Sequence, residues 1–179
     1  MLVQFANRSC SVLVATDVAS RGLDIDQLEA VINVDVTPDA EIHIHRIGRT
    51  GRAGESGLAL NLASMDEMGF VGKIEQYQHR ASVWHKVEEL TPTSHERLVP
   101  PMATIHILGG RKEKIRPGDV LGALTSDEGG AAFTREQIGK ISVTEFSTFV
   151  AVTRNIAKEA MLKLNNGRVK GKSVRARVM

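Results

Sequence analysis

Cysteine, aromatic side chains and long apolar runs are all scarce in this sequence of 179 residues. A single cysteine, Cys10, excludes a disulfide framework and a zinc site built on several cysteines, and it fits a reducing compartment. No stretch approaches the roughly 18–20 consecutive apolar residues that a membrane span needs. Residues 1–11 lack the basic stretch and apolar core of a signal peptide. We therefore expect a cytoplasmic protein without a membrane partner.

The charges are unevenly distributed along the chain. Residues 1–100 hold 9 Lys and Arg against 14 Asp and Glu, a net charge of −5, whereas residues 101–179 hold 14 against 7, a net charge of +7. This asymmetry indicates two units, the second of which suits a polyanionic partner. Two solvated domains that differ only in isoelectric point would show the same counts, and composition alone slightly favours that simpler interpretation.

A linker separates the two units. Residues 88–101 (EELTPTSHERLVPP) are rich in charge, threonine and proline and show no apolar period. Each proline fixes φ and removes a backbone donor, which is typical of an extended connection. The sequence thus predicts an N-terminal domain over residues 1–87, a linker over 88–101 and a C-terminal domain over 102–179.

The N-terminal domain alternates strands and helices. Three apolar runs predict strands of a parallel sheet: residues 12–15, 30–34 and 58–62. One helix is expected from Pro38 to about Gly48, and a second begins at Ser64, where Glu67 completes a capping box. The pattern predicts an α/β fold. The sheet is short of strands to cover its first strand, so we expect this chain to be the C-terminal part of a longer protein.

The C-terminal domain shows the order β-α-β-β-α-β. Predicted strands cover residues 104–108, 140–143, 148–152 and 173–179. One helix begins at Pro117, and another presents an apolar face over residues 156–164 before Asn165, Asn166 and Gly167 end it. This is the ferredoxin-like order, which RNA-recognition domains share with many unrelated small domains.

Two segments of the N-terminal domain are dense in functional residue types. Residues 15–25 (ATDVASRGLDI) follow the first predicted strand and so lie at its carboxyl end, where α/β sheets bind ligands. Residues 45–54 (HRIGRTGRAG) space Arg46, Arg49 and Arg52 three apart between glycines. Guanidinium groups match phosphate oxygens bidentately. A single arginine would be read as a solvated surface charge, but three together with these glycines favour a phosphate site.

These segments resemble motifs V and VI of the second RecA-like lobe of DEAD-box RNA helicases in residue identity, order and spacing. The resemblance extends over about residues 1–86. It implies a partial RecA-like parallel sheet. It implies that Thr16 and its neighbours, Arg21 among them, contact the RNA backbone and that Asp24 contacts the nucleotide ribose. It further implies that Arg49 and Arg52 reach the ATP phosphates, one of them as the arginine finger.

The motifs of the first helicase lobe are missing from this sequence. It contains no G-x-x-x-x-G-K-[ST] loop and no Asp-Glu-Ala-Asp segment for Mg²⁺. A full-length enzyme of this kind would use ATP and Mg²⁺ to separate short RNA duplexes, whereas this chain alone is expected to be inactive. The alternative is a non-enzymatic RNA-binding protein that keeps a vestigial helicase segment. The upstream reading frame distinguishes the two.

The C-terminal domain resembles the RNA-binding domain of bacterial DbpA-type helicases. The resemblance is carried by residues 109–124, 138–141 and 170–178. It implies binding of a hairpin in large-subunit ribosomal RNA and a role in assembling the pre-ribosomal large subunit. We expect the protein to act as a monomer.

The usual stacking aromatics of an RNA-recognition domain are thinly represented. Phe149 is the one exposed aromatic expected on the central strands, Ser147 takes the place of another, and His106 takes the outward position on the first strand. Basic residues must then contribute more of the RNA contact: Arg111, Lys112, Lys114, Arg116, Lys140, Arg175 and Arg177. No metal site is predicted, because His43 and His45 lack a third ligand.

Overall fold

The computed structural model describes residues 1–17, 28–51, 56–92, 95–128 and 130–179. The chain divides into an α/β unit of residues 15–95 and an antiparallel unit of residues 96–179 together with residues 1–14. The short helix α1 (Leu2–Ala6) lies in the antiparallel unit. This division differs from the predicted boundaries in residues 1–14, and the assignment of residues 1–87 to one domain stays a prediction.

The α/β unit contains a two-stranded parallel sheet. Strand β1 (Ala30–Asn33) and strand β2 (Leu58–Asn61) are joined through helix α2 (Ala40–Ile47). The helix begins at Ala40 and not at Pro38, because the Asp39 side chain caps it by accepting from the amides of Glu41 and Ile42. Both strands end one residue earlier than the sequence predicted.

Helix α3 (Met68–Gln78) begins later than the predicted start at Ser64, because a 3-10 turn (Met65–Glu67) follows Ser64 first. The Glu67 carboxylate accepts from the Ser64 amide at 2.8 Å and from its hydroxyl at 2.7 Å, which confirms the capping box. The other carboxylate oxygen accepts from the Val36 amide at 2.9 Å. These bonds lower the pKa of Glu67. Val71 and Ile74 pack with Val36 in the small core of this unit.

The predicted strand over residues 12–15 is wrong. These residues form no strand, and Val12 and Val14 are 60% and 91% exposed. A strand buried in a parallel sheet needs a hydrogen-bonding neighbour and cover on both faces. Among the described residues, the parallel sheet consists of β1 and β2, and residues 12–15 pair with neither of them.

The antiparallel unit has the predicted order of elements. They are β3 (Met102–Leu108), α4 (Pro117–Thr125), β4 (Ile138–Val143), β5 (Ser147–Thr153), α5 (Ala157–Asn166) and β6 (Arg175–Val178). The strands form one antiparallel sheet in the order β4-β5-β3-β6. The α/β class, with a small parallel sheet and a separate four-stranded antiparallel sheet, is therefore confirmed.

The core of the antiparallel unit lies between the sheet and its two helices. Ile105 and Val150, on the central strands, are fully buried against Leu124 of α4 and Leu164 of α5. Since side chains alternate along a strand, the residues between them point to the opposite face of the sheet. Helices α4 and α5 thus cover one face of the sheet. On the other face, Asn7 and Ser9 bond to the Thr104 hydroxyl and bury it, while His106, two residues along β3, stays partly exposed. Among the described residues, no helix is long and apolar enough to span a bilayer.

The amide of Asn165 holds the edge strand β6 against α5. Its side chain donates to the Ala176 carbonyl at 3.0 Å and accepts from the Ala176 amide at 2.7 Å. The neighbouring Asn166 is exposed. We call the two Asn165–Ala176 hydrogen bonds the clamp. Replacing Asn165 removes the clamp and changes helix propensity, whereas replacing Asn166 changes only helix propensity.

We predict that Asn165→Ala destabilises the antiparallel unit by about 1–3 kcal/mol, because two hydrogen bonds to β6 are lost. Asn166→Ala is the matched control and should change the stability little. Amide hydrogen exchange of the β3 and β5 amides measures the unfolding free energy of this unit in both variants. Equal protection in the two variants would contradict the role of the clamp.

Candidate nucleic-acid interface and nucleotide site

A row of polar and aromatic side chains crosses the face of the sheet that the helices leave open. His106 on β3 lies directly opposite Phe149 on β5, and their rings stack with centroids 4.8 Å apart and planes 13° from parallel. Arg177 of β6 is the cross-strand neighbour of His106, and Ser142 of β4 is that of Phe149. The row places two stacked rings beside a guanidinium group, an arrangement that suits a nucleobase and its phosphate.

His106 is held in place by its neighbours. Its Nε2 lies 2.9 Å from the hydroxyl of Ser147, the residue that replaces an aromatic in the expected pattern. Burial lowers the pKa of His106, and the nearby Arg177 cation lowers it further. Because the ordinary pKa is about 6.5, the ring is neutral at pH 7. Burial and the Arg177 cation thus both favour the uncharged ring, which is the form suited to stacking.

The basic loop after β3 is bound to the hairpin between β4 and β5. Three loop amides donate to hairpin carbonyls: Gly109 to Phe146 at 3.1 Å, Arg111 to Thr144 at 2.9 Å and Lys112 to Glu145 at 3.0 Å. A Cβ at Gly110 would collide with the carbonyl oxygens of Thr144 and Glu145, so this close approach requires glycine. Loop and hairpin thus form one rigid corner of the sheet.

The four predicted basic side chains of this loop are all exposed: Arg111, Lys112, Lys114 and Arg116. Lys112 forms an ion pair with Glu145 at 3.2 Å, and its Nζ lies 4.5 Å from the centre of the Phe146 ring. The carbonyl of Lys114 accepts from Lys170 at 2.7 Å. Sequence reasoning overlooked Phe146 because it precedes β5 and so falls outside the alternation that identifies outward residues.

The remaining predicted RNA-binding residues of this unit lie on the two edges of the sheet. Arg175 and Arg177 are exposed on edge strand β6, opposite Leu108 and His106 respectively. Lys140 is exposed on the other edge strand, β4, within an irregular stretch of its pairing with β5. The tertiary structure therefore brings His106, Phe149 and Arg177 together and sets Lys140 apart from them.

In the α/β unit, the structure distinguishes the arginines of residues 45–54. Arg46 donates to both carboxylate oxygens of Asp17 at 2.6 Å and to the Asp35 carbonyl at 3.0 Å. Hydrogen bonding to Asp17 raises the pKa of Arg46, although burial acts in the opposite direction. Arg46 is thus engaged by Asp17. The resemblance assigns the ATP phosphates to Arg49 and Arg52 and not to Arg46, and that assignment stays a prediction. Arg49 lines a pocket beside His45 and Arg46.

The other predicted nucleotide-site residues are only partly covered by the structure. Thr16 is exposed and adjoins Asp17. Arg21, Asp24 and Arg52 lie outside the described residues. Their expected roles stay predictions.

The two histidines of α2 do not form a metal pair. His43 is buried and His45 is exposed, as expected for residues about 200° apart around a helix. Burial lowers the pKa of His43, with a smaller contribution from Arg46. Within the described part of the chain, no group of three or more His, Cys, Asp and Glu could hold a metal ion.

Comparison with known proteins matches both parts of the chain. The family "DbpA RNA binding domain" matches residues 104–178, and "Helicase conserved C-terminal domain" matches residues 1–54. The ATP-dependent RNA helicase DbpA of Escherichia coli is 45% identical over 99% of this chain, and that of Bacillus subtilis is 31% identical over 91%. Both units of the chain thus match the C-terminal part of DbpA-type DEAD-box RNA helicases.

The DbpA-type chain covers only part of its relatives. It spans 38% of the length of both the E. coli and the B. subtilis protein. The ATP-dependent RNA helicase DDX42 of Xenopus laevis is 51% identical, but over 41% of this chain and 8% of that protein. The match to DbpA thus extends over both units, whereas the match to DDX42 is confined to part of the chain.

The low pKa of His106 in this DbpA-type domain has a testable cause. We predict that Arg177→Gln raises the His106 pKa, although not to its ordinary value, because the cation is removed while burial remains. Arg175→Gln, two residues away on the same strand face, is the matched control and should shift it less. NMR titration of the His106 ring protons measures both. An unchanged pKa in the Arg177 variant would show that this cation does not act on the ring.

Proposed function

We propose that this chain is the RNA-targeting C-terminal part of an ATP-dependent RNA helicase that separates short RNA duplexes. In this proposal the antiparallel unit binds a hairpin of large-subunit ribosomal RNA and brings the helicase to the pre-ribosomal large subunit. The observation that carries it is the stacked His106–Phe149 pair with Arg177 beside it.

The sheet face supports this proposal through two kinds of contact. Unpaired bases can stack on the outer faces of the His106 and Phe149 rings, a contact that tolerates sequence. Phosphates can bind the exposed cations of the basic loop and of β6, which supply the long-range attraction. Residues 101–179 carry a net charge of +7, which favours a polyanionic ligand over a neutral one.

The α/β unit supports the ATP-dependent part of the proposal. ATP bound with Mg²⁺ supplies the free energy that separates strands, and the guanidinium of Arg49 would contact its phosphates, joined by Arg52. The donor set fits a phosphate, since guanidinium groups bind its oxygens in pairs. Arg46, held by Asp17, positions the helix that ends beside Arg49. The phosphate loop and the Mg²⁺ carboxylates would come from the first lobe of the complete helicase.

We predict that the chain binds the ribosomal hairpin with an affinity that falls linearly with salt on logarithmic axes, by a slope of about −0.7 to −0.9 per phosphate contact. Arg175→Ala should weaken binding and make the salt slope less steep by the amount that one phosphate contact contributes. Phe149→Ala should cost about 1–3 kcal/mol with little change of slope, because stacking does not release counterions. Filter-binding titrations at several salt concentrations measure both quantities.

Lys158→Ala provides the matched control for lost charge. Lys158 is exposed on α5, which packs on the opposite face of the sheet, so its removal should leave the slope nearly unchanged. A scrambled hairpin controls for non-specific attraction. Equal binding of the ribosomal and scrambled hairpins, or an affinity that does not depend on salt concentration, would refute the targeting role of this unit.

A second prediction concerns Arg49 in a helicase reconstituted by joining the N-terminal part of E. coli DbpA in register to this chain. Arg49→Lys keeps the charge but loses the planar fork, so RNA-stimulated ATP turnover should fall by about 10³-fold or more. Arg80→Lys, at an exposed position of the same unit, should leave turnover unchanged. Both variants should bind the hairpin normally. Near-normal turnover in the Arg49 variant would show that Arg49 does not contact the ATP phosphates.

A further inference from the structure

Phe146 is a large apolar side chain exposed at the tip of the β4–β5 hairpin. It is 58% exposed, and Leu108, at the end of β3, is 56% exposed. Among the described residues of the antiparallel unit, Phe146 is the aromatic side chain that is more than half exposed. Neither residue contributes to the core of the antiparallel unit. Phe146 and Leu108 lie beside the basic loop, so a ligand with both apolar and anionic groups would complement this surface.

The backbone around Phe146 is held tightly. The Thr144 amide donates to the Ser147 carbonyl at 2.8 Å, and the Thr144 hydroxyl accepts from the Ser147 amide at 3.1 Å. The Phe146 carbonyl accepts from the Gly109 amide. Because hairpin and basic loop form one rigid corner, the ring loses little conformational freedom when a ligand binds.

Charged groups surround the ring. Lys112 lies over the ring at 4.5 Å and pairs with Glu145 at 3.2 Å, while Arg111 and Lys114 are exposed on the same loop. The pair between Lys112 and Glu145 is solvent-exposed and therefore weak, so a phosphate can replace the carboxylate on Lys112. An aromatic face next to a cation is the arrangement that binds a base and its phosphate.

Leu108 connects this corner to the centre of the sheet. It projects from the same face of β3 as His106, two residues away, and lies opposite Ser147, the residue that follows Phe146. On its other side its neighbour is Arg175 of β6. Leu108 and Arg175 thus lie between the His106–Phe149 stack and the corner of the sheet that carries Phe146.

We propose that Phe146 and Lys112 form a second nucleotide subsite, in which an unpaired RNA base stacks on Phe146 while Lys112 binds the adjoining phosphate. The proposal rests on the proposed function, namely RNA binding by the antiparallel unit. It extends the interface from the centre of the sheet to the hairpin. The net positive charge of this unit favours RNA over an apolar protein segment as the occupant.

The test uses the whole chain and a ribosomal hairpin that carries a short single-stranded extension with 2-aminopurine at its unpaired positions. Phe146→Leu keeps apolar bulk but removes the aromatic face, and it should weaken binding about fivefold to a hundredfold without changing the salt slope. The fluorescence quenching of one 2-aminopurine should be lost in this variant. Phe146→Tyr keeps the ring and should retain both affinity and quenching.

Two further variants complete the design. Lys112→Met should flatten the salt slope by about one phosphate contact. Tyr77→Leu, an exposed aromatic of the α/β unit, is the matched control and should bind as wild type. Phe146→Leu that binds and quenches like wild type, while Phe149→Ala loses affinity, would overturn the subsite and leave the proposed function standing. A wild-type chain that does not bind the hairpin would overturn the function itself.

Discussion

The pairing of β3 with β5 is the constraint on which the antiparallel unit depends. Seven residue pairs in antiparallel register place Ile105 opposite Val150 in the core and His106 opposite Phe149 on the open face. Because alternate side chains point to opposite faces, one register determines both sets at once, and a slip of one residue would exchange them. Folding and the candidate RNA surface are therefore specified by the same ladder.

Two ion pairs, one in each unit, differ in how firmly they hold their basic residue. In the α/β unit, Asp17 engages Arg46 with two short hydrogen bonds, which separates this arginine from Arg49 three residues later. In the antiparallel unit, Glu145 engages Lys112 only at an exposed position. The first pair is suited to holding a helix in place, while the second can exchange its carboxylate for a phosphate.

Most of the secondary structure could be predicted because its signals are local. The capping box at Ser64, the proline that opens α4 and the strand alternation of the antiparallel unit all act within a few residues. The strand expected over residues 12–15 failed for a non-local reason. Its apolar run needs neighbouring strands, and the described residues provide it with none. The motifs of residues 15–25 and 45–54 predicted the family, which depends on residue identity and not on packing.

The sequence by itself determined the family resemblance and the fold class, and it predicted a set of basic residues for RNA binding. Only the tertiary structure decided which side chains lie together. It stacked His106 on Phe149, set Lys140 on the far edge and joined Lys112 to Phe146 across 34 positions of sequence. These outcomes depend on strand register and on backbone bonds between loops distant in sequence. Such contacts have no local signature, because they form only when separate segments meet in the fold.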